Sequence, residues 1–590
     1  MRNIALLIRE RARTRPDRPA LREKAGGAWR EITYGELDRD VERLARGFLA
    51  LGVDAGDRVA LLSANMPEWS LTDLAVQSVR GVTVPLYATS TAEQVAGILQ
   101  DAGAEIACAG GEADAANLAE VRESCGLPRR IVVFRGEAPD PARDLTLDQV
   151  RAAGDAVGPE ETALRAAAAA ADDLATIIYT SGTTGEPKGV MLAPDNFANQ
   201  FAHLDRWFTI DERDRSLCFL PLSHVFERAW SYYVYLQGAS NSFVLNPREV
   251  ADYLREVRPT ALVAVPRVYD KVYSMVHEKV ESAPPLRRRL FRWAVRTGFR
   301  YQTRTRQQKL PAGPGLKLSH ALADRLVLGK IRDAMGGPKS VMASGGAPLS
   351  AEVGEFLLSA GLLVCEGYGL TETSPMLTCN TPDAFRFGAV GRPIQDVELR
   401  ISEEGEVLAR GPNVTRGYFN NPEATAEAFQ DGWFRTGDVG HLDQDGFLVI
   451  TDRLKDLIVT SGGKNVAPQR VETIIGQDPY VEQLAVVGDS QKFLGALVVP
   501  SFDALKAWAG QHKLPFQDAE ELIRLPEVVK FMNERIAERC RHLAPFERVR
   551  KIHLLPRPFS MDLGELTPTL KVRRKAVAAA YRDVIERMFA

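Results

Sequence analysis

Helical and strand patterns alternate across the first 170 residues, and this alternation constrains the fold of the 590-residue chain more than any other feature. Apolar residues recur at helical spacing over 32–52, and a short apolar run at 56–63 predicts a buried strand. A helical pattern at 69–79 and a second strand pattern at 81–86 follow. Strands separated by helices are typical of an α/β architecture with a largely parallel sheet.

The later chain changes character. Residues 275–340 have a helical, basic pattern, which predicts a helical insertion. Beyond Arg400, Gly and Asp-Gly turns separate short apolar runs and predict β-hairpins. Strand and helix patterns mix again towards the end, over a length sufficient for a small α+β domain. We therefore expect an N-terminal domain, 1–452, of stacked α/β sheets plus a β-rich part, and a smaller C-terminal domain, 453–590.

Composition excludes several classes of protein. The 74 basic and 77 acidic residues give a net charge of −3, so nothing global indicates a nucleic-acid partner, and we expect none. The six cysteines form no CxxC pair, which favours scattered reduced thiols. Since no run of 18 apolar residues occurs, we expect a cytoplasmic protein, attached at most to the inner face of a membrane.

A basic segment, 287–309, lies within the helical insertion. No acidic residue occurs between Ser282 and Ala323, whereas nine arginine and lysine residues crowd 287–309 among apolar side chains such as Trp293 and Phe299. One interpretation is a solvated helical insertion. The other is a basic amphipathic surface that contacts anionic lipid headgroups.

The strongest local signal is the segment Tyr179–Val190, YTSGTTGEPKGV, which follows a strand pattern. Its three glycines let backbone N–H groups approach an oxyanion, its four hydroxyl residues donate hydrogen bonds, and Lys188 adds a positive charge. Because Gly189 follows Lys188, the segment is not a Walker A loop. The pattern predicts a phosphate-binding loop in preference to an ordinary turn.

This loop resembles the signature of the adenylate-forming superfamily, which comprises acyl-CoA synthetases, adenylation domains and luciferases. The resemblance covers nearly the whole chain, because further family-like motifs occur in the family's order. They are FLPLSHVFER at 219–228, AVPRVYDK at 264–271, ASGGAP at 343–348, EGYGLTE at 366–372, TGD at 436–438, DRLKD at 452–456 and LTPTLK at 566–571.

The resemblance implies a two-step reaction. A carboxylate attacks the α-phosphate of ATP in the presence of Mg²⁺, giving an acyl-adenylate and pyrophosphate, and a thiol, usually coenzyme A, then takes the acyl group. Carboxylate and triphosphate repel each other, so such a site needs cations and fixed donors where charge accumulates. We therefore expect ATP, Mg²⁺ and coenzyme A as cofactors and co-substrates.

The resemblance also implies roles for individual residues. Glu372 holds Mg²⁺, with Thr180 as a second candidate ligand, while Tyr368 stacks on adenine and Asp438 accepts hydrogen bonds from the ribose hydroxyls. The full nucleotide-binding set is Thr180, Ser181, Gly182, Thr183, Gly185, Gly345, Gly346, Glu366, Gly367, Tyr368, Thr371, Asp438, Arg453 and Lys455.

Four residues are the candidates for catalysis. By resemblance Lys571 reaches the substrate carboxylate and the α-phosphate, with Lys575 as the alternative; the catalytic set is Lys571, His224, Thr184 and Lys188. His224 is expected to line the carboxylate or thiol path as a binding residue. Lys455 matches the family's hinge, about which a mobile C-terminal domain rotates between the half-reactions.

The substrate is open to interpretation. The sequences around His224 and Lys571, together with the basic insertion, resemble those of the long-chain fatty acid branch of the family. Trp230 either gates an acyl tunnel or belongs to the core. Alternatives are a fatty acyl-AMP ligase that loads a carrier protein, and a non-catalytic acyl- or nucleotide-binding scaffold.

Overall fold

The chain divides into two units by its packing. The computed structural model describes residues 3–181, 187–462, 464–561, 563–567 and 572–589, without the side chains of Ser181, Arg248 and Asn465. Unit 1 is Met1–Leu399 with Ala409–Arg435, and unit 2 is Arg400–Leu408 with Thr436–Ala590. The boundary at 452/453, the hinge near 455 and the mobility of the C-terminal domain stay predictions.

Unit 1 contains most of the helices and strands. The strands up to residue 399, β1 to β16 in chain order, are Pro19–Ala25, Ala28–Thr33, Arg58–Leu62, Val82–Leu86, Ile106–Ala109, Arg130–Val133, Leu145–Thr146, Thr176–Ser181, Pro187–Leu192, Arg215–Cys218, Ser240–Phe243, Ala261–Ala264, Val341–Ser344, Cys365–Tyr368, Thr378–Cys379 and Arg392–Pro393. The helices of the unit, α1 to α16, are Ile4–Thr14, Tyr34–Ala50, Pro67–Ser78, Ala92–Ala102, Glu112–Cys125, Leu147–Asp155, Pro159–Ala167, Pro194–Trp207, Val225–Gln237, Val250–Val257, Pro266–Glu281, Pro285–Gln302, Pro314–Ala323, Gly329–Ala334, Ala351–Ser359 and Pro422–Ala428.

The remaining elements follow residue 397. Strands β17 to β26 are Glu398–Ile401, Glu406–Arg410, Phe429–Gln430, Trp433–Leu442, Leu448–Arg453, Ile458–Val459, Asn465–Val466, Val481–Val487, Leu494–Pro500 and Val549–Leu554. Helices α17 to α22 are Pro468–Ile475, Phe502–Gln511, Ala519–Arg524, Pro526–Arg539, Arg574–Ala580 and Arg582–Phe589.

A seven-stranded sheet of unit 1 has the order β7-β6-β5-β3-β4-β8-β9. Its pairs are parallel except the last, where β8 and β9 form an antiparallel hairpin with Thr180 opposite Lys188. Strand β4 is buried along its whole length, as expected for a parallel strand covered on both faces. The hairpin therefore forms one edge of this sheet and carries the glycine-rich loop at its turn.

A nine-stranded sheet of the same unit has the order β16-β15-β14-β13-β12-β10-β11-β1-β2. Its central neighbours β14, β13, β12 and β10 are parallel to one another. Helices such as α2, α3 and α9 contribute fully buried side chains, among them Tyr34, Phe48, Trp69 and Tyr233, to the large core of this unit. These sheets and helices confirm the predicted α/β class.

The predicted helical insertion consists of α11 to α14, joined in part by short π-helical stretches at Thr303–Gln307 and Asp324–Leu328. Helix α12 buries Phe291, Ala294 and Gly298 and packs against α15. Glycine is required at position 298 for a steric reason, because a Cβ there would lie 2.2 Å from the carbonyl oxygen of Ser359. One face of α12 is thus fixed to the core.

Unit 2 contains part of the strand-rich segment after Arg400, which we predicted as part of the N-terminal domain, together with the region predicted to be α+β. Strands β20 and β21 pair antiparallel, with Asp438 opposite Arg453. A separate three-stranded sheet has the order β24-β25-β26, with buried apolar side chains such as Val486 and Val498 on one face and Leu497 and Val499 on the other. Among the described residues, no helix is both long enough and apolar enough to cross a bilayer.

Candidate functional site

Four of the family-like motifs lie at one edge of the nine-stranded sheet. The segments 219–224, 265–271, 344–348 and 367–372 begin at or directly after the carboxyl ends of β10, β12, β13 and β14. Since these strands are parallel neighbours, their carboxyl ends meet at the same edge, where open α/β sheets bind their ligands. The structure therefore brings together motifs that are up to 150 residues apart in the sequence.

The glycines of two of these loops allow close packing. A Cβ at Gly345 would lie 3.3 Å from the ring of Phe226, at the start of α9, and 3.5 Å from the carbonyl oxygen of Gly367. Gly346 has a φ of 82°, a conformation that favours glycine. The 344–348 loop is thereby held against both the histidine motif and β14.

Glu366 lies in β14 and is 5% exposed. Burial raises the pKa of its carboxyl group to about 7, and one carboxyl oxygen accepts a 2.9 Å hydrogen bond from the backbone N–H of Leu349. This contact fixes the end of the 344–348 loop. Tyr368 at the end of β14 is half-buried, and Thr371 is buried in the short turn Thr371–Thr373.

His224 caps the N-terminus of α9. Its Nδ1 accepts a 3.2 Å hydrogen bond from the backbone N–H of Phe226. A neutral imidazole that accepts at Nδ1 carries its proton on Nε2, which makes Nε2 a donor. A donor at this position suits the binding of a carboxylate or carbonyl oxygen, and the binding role of His224 stays a prediction.

Lys188 and Glu372 are connected through Tyr418. The Lys188 ammonium lies 5.3 Å from the centre of the Tyr418 ring, and the Tyr418 hydroxyl donates a 3.0 Å hydrogen bond to Glu372 Oε1. The phosphate-loop lysine and the predicted Mg²⁺ ligand therefore share one neighbour. Sequence reasoning missed Tyr418, because a single tyrosine in a turn-rich segment has no pattern that marks it.

A backbone ladder fixes this arrangement. The N–H of Phe419 donates to the carbonyl of Gly189, and the N–H of Met191 donates to the carbonyl of Gly417, at 2.7 and 3.2 Å. Thr415 donates its N–H to the Glu372 carbonyl at 2.7 Å and its hydroxyl to the Met191 carbonyl at 2.6 Å. Segment 415–419 thus runs alongside β9 and ties the Glu372 turn to the phosphate hairpin.

Arg228, one turn after His224, is fully buried and forms an ion pair with Asp73 of α3. It also donates to the hydroxyls of Tyr232 at 2.7 Å, Thr176 of β8 at 2.6 Å, and Thr83 of β4. The arginine therefore ties α9 to the strand that leads into the glycine-rich loop. The signal in the sequence is Glu-Arg inside an otherwise apolar helix, because a charged pair in such a helix needs buried partners.

The neighbouring Glu227 is also fully buried, beside Cys218 and Ser231. Its carboxyl group accepts a 3.2 Å hydrogen bond from the backbone N–H of Leu220. Burial raises the pKa of this group to about 8.

Unit 2 holds Asp438, Arg453 and Lys455. Asp438 is 7% exposed and accepts a 2.8 Å hydrogen bond from Arg453 Nε, and the two residues face each other across β20 and β21. Asp452 is buried, which raises the pKa of its carboxyl group to about 6, and it accepts hydrogen bonds from the N–H groups of Arg453 and Gln469. Lys455 follows in the turn after β21.

Some predicted site residues lie outside the described part of the chain. These are Gly182, Thr183, Thr184, Gly185 and Lys571; the side chain of Ser181 is not described either. The alternative lysine, Lys575, is exposed on α21 next to Arg574, which forms a 2.5 Å ion pair with Glu472. Thr180 is half-buried opposite Lys188.

The carboxylate of Glu372 and its surroundings fit a Mg²⁺ ligand. Within the described residues, no cluster of three or more His, Cys, Asp or Glu side chains could hold a metal by itself. Mg²⁺ with a nucleotide needs only one or two protein carboxylates plus phosphate oxygens and water. Glu372, oriented by Tyr418, provides such a carboxylate on the side of the phosphate hairpin.

Trp230 is 5% exposed, and its indole N–H donates a 2.9 Å hydrogen bond to the Ser216 hydroxyl. It belongs to the large core cluster, and its ring is tilted by 43° against that of Tyr233, with ring centres 5.9 Å apart. Of the two interpretations of this residue, the core position is the one found here.

Known proteins are similar to this chain in sequence and in fold. The chain is 38% identical to a long-chain-fatty-acid–CoA ligase of Mycobacterium tuberculosis, over 100% of this chain and 97% of the relative, and 28% identical to a long-chain-fatty-acid–CoA ligase of Xenopus laevis, over 99% and 83%. The adenylation domain of a carboxylic acid reductase from Segniliparus rugosus, solved with AMP and a carboxylic acid, shares the fold with a TM-score of 0.75 at 23% identity, covering 100% of this chain and 94% of that one.

The family assignment rests on both parts of the chain. The AMP-binding enzyme family matches residues 8–419, and its C-terminal domain family matches 455–590. These ranges contain the motifs on which the resemblance was based, except TGD at 436–438 and the first three residues of DRLKD at 452–456. The chain belongs to the family of AMP-binding enzymes.

Proposed function

We propose that this protein is an ATP-dependent ligase that activates a long-chain fatty acid as its acyl-adenylate, with release of pyrophosphate, and transfers the acyl group to coenzyme A. The observation that supports this best is the convergence of four motif loops at one sheet edge, with Glu372 linked to the phosphate hairpin through Tyr418. The 38% identical ligase that matches the whole chain supports the fatty acid as substrate.

In this proposal the chain's own groups counter the repulsion between the carboxylate and the triphosphate. Lys188 and the hydroxyl-rich loop hold phosphate oxygens, and His224 presents its Nε2–H to the acyl carboxylate or carbonyl. Tyr418 orients Glu372, which with Thr180 would hold Mg²⁺; the cation would neutralise charge on the phosphates.

Roles taken from the family resemblance complete the proposal. Thr184 belongs to the catalytic loop, Tyr368 and the neighbouring glycines bind adenine, Asp438 and Arg453 bind the ribose, and Lys455 serves as the hinge. Lys571 contacts the carboxylate and the α-phosphate during adenylation. Each role is testable by substitution.

A further part of the proposal concerns location. We propose that the basic segment 287–309 attaches the protein to the surface of an anionic membrane. Its arginines are exposed on α12, and the substrate is a lipid that partitions into membranes.

The reaction is tested by measuring pyrophosphate release with Mg·ATP and a series of carboxylic acids, with and without coenzyme A. Release that depends on long-chain fatty acid and is coupled to acyl-CoA formation supports the ligase. Activation without thioester formation favours the alternative, an acyl-AMP ligase that loads a carrier protein. No release with any acid favours a non-catalytic scaffold.

The role of Lys571 is tested by separating the two half-reactions. We expect Lys571→Ala to slow adenylate formation by about 10²–10³-fold, the cost of losing one fixed charge-stabilising donor. Thioester formation from preformed acyl-adenylate should change little. Lys575→Ala is the matched control, and an effect on adenylation larger than that of Lys571→Ala would assign the role to Lys575 instead.

A further inference from the structure

Four of the six arginines of α12 lie on one face of the helix. Arg289, Arg292, Arg296 and Arg300 follow one another at spacings of three and four residues, so they form one stripe along the helix. This stripe lies opposite the buried face that contains Phe291 and Gly298. All four side chains point away from the core.

None of these four arginines forms an ion pair with any residue that the structure describes. Nearby charged groups do pair, since Lys309 contacts Asp383 at 3.2 Å and Arg332 contacts Asp324 at 2.5 Å. An unpaired stripe of arginine with no acidic residue between 282 and 323 provides a site for an external anion.

The stripe lines a cavity between α12 and α13. The cavity has a volume of about 540 Å³, within the range of pockets that hold small ligands. Its other side is formed by Gly315, Leu316 and Ser319 of α13, and Trp293 and Thr297 of α12 complete it. Guanidinium groups on one side and a serine hydroxyl on the other suit a phosphate group.

An exposed row of leucines lies beside this cavity. Leu318, Leu322 and Leu326 are 76, 52 and 39% exposed. At 100° per residue, Leu318 and Leu322 are adjacent to the Gly315 and Ser319 side of α13. Leucines this exposed, placed next to arginines, are typical of a surface that enters the interfacial region of a bilayer.

We propose that the α12/α13 cavity binds the phosphate headgroup of an anionic lipid, while Leu318 and Leu322 of α13, with Leu326 in the π-helical stretch after it, enter the acyl region of the same leaflet. This inference rests on the membrane attachment proposed above and names the site responsible. The leucine row favours a lipid over a nucleic acid or an acidic peptide, because exposed leucine side chains gain free energy by entering an acyl region, and a polar or charged polymer offers none.

The test is flotation of the full-length protein with phosphatidylcholine vesicles, with and without phosphatidylglycerol. The cavity variant is Arg292→Gln with Arg296→Gln, and the matched control is Arg287→Gln with Arg288→Gln. The control removes the same charge from the same helix, but its two arginines do not line the cavity. A third variant, Leu318→Ser with Leu322→Ser, removes the apolar row.

We expect the wild-type protein to bind only the anionic vesicles. The cavity variant should bind them more than about 30-fold more weakly, since each of its two arginines loses about a fivefold diffuse electrostatic factor and, in addition, its charge-assisted hydrogen bond to the lipid phosphate. The control should lose clearly less. The leucine variant should lose roughly tenfold or more per leucine that enters the acyl region. Equal losses in the cavity variant and the control would overturn the cavity and leave only a diffuse electrostatic contact.

Two further measurements separate the lipid from other anions. Glycerol phosphate and inorganic phosphate should not displace the protein from vesicles at concentrations comparable to the lipid; displacement would identify a free phosphate site. Binding to nucleic acid with no binding to vesicles would likewise overturn the proposal. Acyl-CoA synthesis from a soluble medium-chain acid, without vesicles, should be equal in all variants, so a failed ligase function is recognised independently.

Discussion

Arg228 and the arginine stripe of α12 show two opposite uses of the same side chain. Arg228 is fully buried, and its guanidinium contacts Asp73, Tyr232, Thr83 and Thr176. The stripe arginines are exposed and form no ion pair with a described residue. Burial with partners holds two helices and two strands of the seven-stranded sheet together, whereas exposure without partners leaves the charge available to another molecule.

The comparison separates arginines that stabilise the fold from arginines whose charge is available for binding. A buried guanidinium must satisfy its donors internally, because an uncompensated charge in the core costs several kcal/mol. An exposed guanidinium costs little and contributes nothing to folding until a partner arrives. Substitution of Arg228 should therefore lower the free energy of unfolding much more than substitution of the exposed arginines of α12.

The largest effect is expected at Arg228. Arg228→Met leaves the Asp73 carboxylate buried without its charge partner, and we expect a loss of about 3–5 kcal/mol in the free energy of unfolding. Denaturant titration followed by circular dichroism measures this. The double variant Arg228→Met with Asp73→Asn should recover part of the loss, and a double variant as unstable as the sum of the single ones would contradict the assigned pairing.

The next effect, comparable in size, is expected at Glu227, as a dependence on pH. Burial raises the pKa of this carboxyl group to about 8 from its usual value near 4.5, so the folded protein binds a proton that the unfolded chain has released. The resulting stability is complete below about pH 4.5 and is lost as the pH rises through 8, by at most about 1.4 kcal/mol per pH unit.

Glu227→Gln cannot ionise and should flatten this part of the curve. The measurement is the urea midpoint of the wild-type protein and the variant between pH 5 and pH 8.5. Parallel curves for the two proteins would show that Glu227 does not titrate in this window. Glu137→Gln, a substitution at an exposed carboxylate, serves as the control.

The smallest effect is expected on the α12 stripe. Arg289→Gln with Arg292→Gln should change the free energy of unfolding by no more than about 0.5 kcal/mol per substitution, since exposed side chains without partners seldom contribute more. Thermal unfolding in the absence of lipid measures this. A loss as large as that at Arg228 would show that these arginines have a structural role and would break the comparison.

The sequence predicted the fold class and the motif loops because both depend on local patterns. Buried strands such as β4 appear as continuous apolar runs, and the glycine-rich loop follows such a run. Four loops at neighbouring strand ends could be inferred only from family resemblance, since strand order is a non-local property.

Other features had no local pattern at all. Tyr418 acquires its role because its segment pairs with β9, some 230 residues earlier. The partners of Arg228 come from α3, β4 and β8, so the sequence shows an unusual charge but not what satisfies it. The basic segment was recognised by composition, whereas the leucine row became visible only once α13 was shown to be exposed.

The pairing of segment 415–419 with β9 has a consequence for how the protein is made. A nascent chain that has reached residue 399 lacks the partner of β9, whose N–H and C=O groups then form an open sheet edge of the kind that promotes aggregation. Closing this edge requires contacts between distant parts of the sequence, which slow folding. Truncation between 399 and 419 should therefore yield insoluble protein during synthesis, whereas a chain that extends past α16 can protect its own edge.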